Sequence, residues 1–140
     1  MERTYRRLSL NERVVIETLL KEKKAIDYIA IQLNRNQNFK DDLPKQITDF
    51  KRLSKNSNLC IIGDYNITFS DNYYFTNLGR NELMKSFDEN EIKNYTQDIS
   101  ETIDHIAISK KFIGNSKVKT TEWNSDKKLS DHKGISISWN

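Results

Sequence analysis

Leu59-Cys60-Ile61-Ile62 is an unbroken apolar run that stops abruptly at Gly63-Asp64-Tyr65-Asn66. Four apolar residues in succession give a strand no polar side, so a strand here is expected to be buried on both faces. The 140 residues suit one domain of ordinary size. A single cysteine excludes a disulfide framework within the chain and a Cys-rich zinc module, a composition expected of a reduced, intracellular protein. No stretch approaches the 18 or so apolar residues of a membrane span. The opening Met1-Glu2-Arg3-Thr4-Tyr5-Arg6-Arg7 lacks the apolar core of a signal peptide, so cytoplasmic residence and no membrane partner are expected.

The neighbouring patterns predict an α+β chain. Leu43, Ile47, Phe50 and Leu53 recur at helical spacing, with Pro44 in a first turn, which predicts a helix of about 12 residues stopped by Asn56-Ser57-Asn58. A further helical stretch is expected around Tyr73 to Phe87. Ile103 to Ile108 and Gly134 to Trp139 alternate apolar and polar residues as strands do, and Val118 to Trp123 is a weaker third candidate. These predict a small mixed or antiparallel sheet.

The first 40 residues differ in charge from the rest. They hold nine of the 23 Lys and Arg but five of the 20 acids, in a chain of net charge +3. Ser9-Leu10-Asn11-Glu12 forms a capping box, in which the Ser9 hydroxyl accepts from the amide three residues on and Glu12 reaches back. An apolar stripe at Val15, Ile16, Leu19 and Leu20 follows, then Lys21-Glu22-Lys23-Lys24, then a second stripe at Ile26, Ile29, Ala30 and Leu33. Two short amphipathic helices around a tight break are the expected form, a helix-turn-helix shape.

Three polar clusters fall at the ends of expected strands. Gly63-Asp64-Tyr65-Asn66 follows the first, Asp104-His105 begins the second, and Ser130-Asp131-His132-Lys133 precedes the last. Singly, each is ordinary turn or capping chemistry. Together, few chemistries need Asp, Asn, Asp, Asp and His gathered on strand-end loops of one sheet edge.

The ordered segments "IIGDYN", "TIDHIAIS" and "LSDHKGISI" resemble the three carboxy-terminal motifs of the endonuclease/exonuclease/phosphatase superfamily, over about residues 41 to 140. The resemblance implies a metal-dependent phosphoester hydrolase, nuclease or phosphatase, built as half of a four-layer α/β/β/α sandwich over residues 39–140. Carried over by motif, it makes Asp64 the group that orients or deprotonates the attacking water and Asn66 a donor to the charge building on the phosphorus oxygens. His132 would contact the scissile phosphate or share the proton work, with Asp104 holding its other ring nitrogen. Asp131 would stand beside Mg²⁺ or Mn²⁺, which prefer hard oxygen ligands. His105 would pack beside the site. The superfamily's first half brings a Gln-Glu pair whose Glu is its main metal ligand, and no Gln-Glu pair occurs here, so the resemblance implies a partial domain.

"YRRLSLNERVVIETLLKEKKAIDYIAIQLNRNQ" resembles the amino-terminal helix-turn-helix of insertion-sequence transposases over about residues 5 to 36, which sets a first unit at residues 1–38. That resemblance implies duplex DNA as a partner, contacted through Arg6, Arg7 and Arg35. The recognition helix of that family is replaced here by Asn36-Gln37-Asn38-Phe39-Lys40-Asp41-Asp42, whose acids oppose a phosphate contact. Two functions of different class follow: hydrolysis of nucleic acid or a phosphorylated small molecule, or DNA binding without catalysis.

Overall fold

The computed structural model describes residues 27–32 and 39–140, with side chains from Asp42 onward. Along the chain run β1 (Asp27–Gln32), α1 (Phe39–Ser54), β2 (Leu59–Asp64), α2 (Asn77–Glu89), β3 (Ile92–Asn94), β4 (Asp104–Ser109), α3 (Lys110–Ile113), β5 (Val118–Trp123) and β6 (Gly134–Trp139). The chain is mixed α+β, as its patterns predict. No described helix is long and apolar enough to cross a membrane.

The doubly apolar run does form a strand covered on both sides. β2 lies inside a four-stranded sheet of order β1-β2-β4-β3, while β5 and β6 form a separate two-stranded sheet. β1 runs parallel to β2, and β2 and β3 each pair antiparallel with β4. Because strand side chains alternate between faces, Leu59 and Ile61 enter a cluster with Leu43, Phe50, Leu83 and Phe87 from the two long helices. Cys60 and Ile62 point the other way and meet Ile106, Ile108, Phe112 and the β6 residues Ile135 and Ile137. Helices therefore cover one face and the β5–β6 hairpin the other, and both apolar sets leave water.

The elements follow local chemistry. Thr76 caps α2, its hydroxyl accepting from Gly79 N at 3.1 Å, and Leu83, Ser86 and Phe87 are buried at helical spacing. The Phe87 ring stands 6.3 Å from both Phe50 and Tyr65, within the range of favourable aromatic pairs. Gly134 sits opposite Trp123 in the hairpin. A Cβ at Gly134 would overlap the Trp123 indole, so the backbone approach needs glycine.

Three expected elements form differently, and one strand was not expected. The second helix expected over Ile26 to Leu33 is instead the strand β1 at Asp27–Gln32, because an edge position beside β2 supplies a hydrogen-bonding ladder that overrides a weak helical period. β1 precedes residue 38, where the resemblances divide the chain, and pairs with β2 beyond it. Helix α1 starts at Phe39, placing Pro44 past the first turn. The helical stretch expected from Tyr73 begins only at Asn77, since Asp71 Oδ1 takes the Tyr73 amide at 2.9 Å and Tyr74 O takes the Thr68 amide at 2.6 Å. β3 answers to none of the strands expected from sequence. The capping box at Ser9 and the residues Arg6, Arg7 and Arg35 lie outside the described residues.

Candidate active site

Asp64 closes β2 and Asp104 opens β4, and the two are direct partners in the antiparallel register. By alternation Asp104 shares the hairpin face with Ile106 and Ile108, whereas His105 shares the helix face with Ala107. The hairpin then delivers His132 from above. Its Nδ1 lies 2.6 Å from Asp104 Oδ2, the short separation of a charge-assisted bond. The third polar cluster thus joins the first two from the loop of a separate hairpin, where one edge of a single sheet was expected to carry all three.

Local turns aim these groups. Gly63 takes φ 141°, a conformation costly for any side-chained residue, and lets β2 end with Asp64 on the site. Asn66, at φ 51°, folds back so that its amide donates to Asp64 Oδ1 at 2.8 Å, an Asx turn. Its side chain bonds Asp64 as well. Asn124 Nδ2 donates to Ser130 O at 2.9 Å and His132 O at 2.7 Å, which fixes the loop entering His132.

The surroundings raise the pKa of both Asp64 and His132. Burial raises the Asp64 carboxyl above its usual range, the Asn66 amide opposes this, and Asp104 adds to the rise. Burial draws His132 down, but the bond to Asp104 and the charges of Asp104, Asp64 and Asp131 outweigh it, leaving its pKa above 6.5. The side chains of His132 and Asp104 are 31% and 23% exposed, open enough to meet a ligand. With Nδ1 committed to Asp104, Nε2 is the nitrogen available for chemistry.

His105 is held apart. Its Nε2 donates to Ile67 O at 2.9 Å and its Nδ1 stands 3.2 Å from the Thr96 hydroxyl. Tyr65 and Phe69 meet its ring edge-on at 5.4 and 4.7 Å. Burial pulls its pKa down to about 4, so it is neutral and structural, with the proton on Nε2 because a carbonyl can only accept.

Asp131, carried over as the metal-side carboxylate, is 94% exposed, its Oδ1 4.0 Å from His132 Nε2. Among the described residues no group of three His, Cys, Asp or Glu is assembled to hold a metal ion. One exposed carboxylate does not make a resident cation site.

Three loops close round this centre. Asp71 Oδ2 accepts from Glu101 N at 2.7 Å, and Ser70 Oγ donates to Ile99 O at 3.0 Å. Lys127 Nζ reaches Tyr73 OH at 3.0 Å and lies 4.1 Å from its ring centroid. Lys133, which sequence reasoning passed over, is buried, its Nζ donating to Ser100 O at 2.8 Å. Its signal was its place directly after His132. No family model matches the chain, and no curated protein matches it either.

Proposed function

We propose that the chain carries the proton-handling part of a phosphoester hydrolase centre of the endonuclease/exonuclease/phosphatase type. The observation that carries this reading is the convergence of Asp64, Asp104 and His132 from two strands and a hairpin, with the 2.6 Å bond between the last two. An imidazolium held by a carboxylate, beside a second carboxylate, suits a substrate that is anionic and gains charge during reaction.

In this reading the His132 Nε2–H donates to a non-bridging phosphate oxygen while Asp104 keeps the ring charged and oriented. Asp64 accepts a proton from the attacking water as the water oxygen bonds to phosphorus and the bond to the leaving oxygen breaks. Asn66 holds Asp64 in place and offers its remaining amide proton to the phosphoryl oxygens. Nucleic acid and phosphorylated small molecules both present the required group.

The test is turnover of a nicked duplex by the purified chain with Mg²⁺ or Mn²⁺ supplied. Hydrolysis that disappears in Asp64→Ala supports the reading. No product with either cation removes it.

A further inference from the structure

Asp104 opens β4, whereas His132 lies in the loop of the β5–β6 hairpin, and the apolar contacts between hairpin and sheet are non-directional. Such packing brings the layers together without fixing a 2.6 Å bond. A directional tie is needed across the same gap. Lys133 provides one: it follows His132, only 6% of its side chain is exposed, and its Nζ bridges Ser100 O at 2.8 Å and Glu122 Oε2 at 3.4 Å. Ser100 lies in the loop that feeds β4 at Asp104, and Glu122 lies on β5 of the hairpin. A buried ammonium holds its partners firmly, because leaving it unpaired is expensive. The second bridge between these loops, Lys127 to Glu101 at 3.7 Å with Glu101 55% exposed, is of the solvent-screened kind that contributes little.

We propose that Lys133 is a positioning residue whose ammonium pins the loop ahead of β4 to the hairpin and so sets the His132–Asp104 contact. It touches no reacting atom. The assignment rests on the reading of His132 and Asp104 as a working pair, but its test does not need turnover.

The chain has two histidines, each with a ring N–H held by an acceptor, His132 by Asp104 and His105 by Ile67 O. Both protons give downfield proton NMR signals when exchange is slow. In Lys133→Met the His132 signal is lost to exchange while the His105 signal remains, and Lys133→Arg restores the first. In Glu122→Gln, a change at a half-exposed residue, the His132 signal weakens. An unchanged His132 signal in Lys133→Met overturns the proposal. Should that variant lose the His105 signal too, an unchanged His132 signal in Glu122→Gln overturns it instead. Where turnover is measured, Lys133→Met lowers kcat by about 10²-fold with KM unchanged, the effect of misplacing a reacting group. A chain that hydrolyses nothing yet loses the His132 signal keeps this assignment and discards only the hydrolase reading.

Discussion

The two histidines follow motif residues of the same type, an aspartate beside each, yet their environments drive them in opposite directions. His132 is raised by Asp104 against its partial burial, so its stabilising effect is present below 6.5 and fades as pH climbs through the folded-state pKa. Asp104→Asn removes the bond and the charge, and an NMR titration is expected to find the His132 pKa lower than in the parent chain. An equal value in both would show that Asp104 does not govern the ring. His105 behaves in reverse. Its folded pKa of about 4 lies under its unfolded value of 6.5, so the unfolded chain binds the extra proton between these limits and stability falls as pH drops through them. The loss is on the order of 3 kcal/mol, from about 1.36 kcal/mol per pKa unit. Urea midpoints measured from pH 7 to pH 4 should show it, and His105→Leu should flatten the slope while lowering stability throughout. A slope unaltered by that change would place the acid sensitivity elsewhere. The sequence put Asp104 and His105 side by side; only strand alternation separates them, one toward the hairpin and one toward the helices.

Among the elements, strands with a strong pattern were readable and those set by tertiary pairing were not. Gly134 to Trp139 alternates Ile135, Ile137 and Trp139 and becomes β6 at those bounds. The apolar run at Leu59 becomes β2 with helices on one face and the hairpin on the other. β3 is three residues long, too short to carry a period, and exists because Ile92 to Asn94 pairs with β4. β1 has a helical spacing of apolar residues and still pairs along all of β2, since a parallel ladder beside an already buried strand outweighs local propensity. The hairpin is specified by a contact that sequence does not display, Trp123 over Gly134. Gly134→Ala forces the indole or the strand to move and should destabilise the chain by about 1–3 kcal/mol, as overpacking does. Thermal unfolding measures this, and an unchanged midpoint would mean the ring gives way freely.

Across the whole molecule, residues from three segments become one centre only because the two sheets stack. Asp64 and Asp104 are set by register within one sheet, and His132 arrives from the loop that joins the strands of the other. The sequence groups these residues by motif and assigns the third cluster to the same sheet edge. What sequence could not supply was the layer order and the polar ties through Lys133 and Asn124 that hold His132 in place. The same layering leaves Asp131 in solvent, apart from the bonded pair of His132 and Asp104. The most direct measurement of the central claim is the rate of bis-p-nitrophenyl phosphate hydrolysis by the chain and by His132→Ala, with Mg²⁺ or Mn²⁺ supplied. Hydrolysis is expected, falling by roughly 10²–10⁴-fold in the variant, the range of a lost acid–base group. Equal rates in the two proteins, or no hydrolysis by the parent chain with either cation, would contradict it.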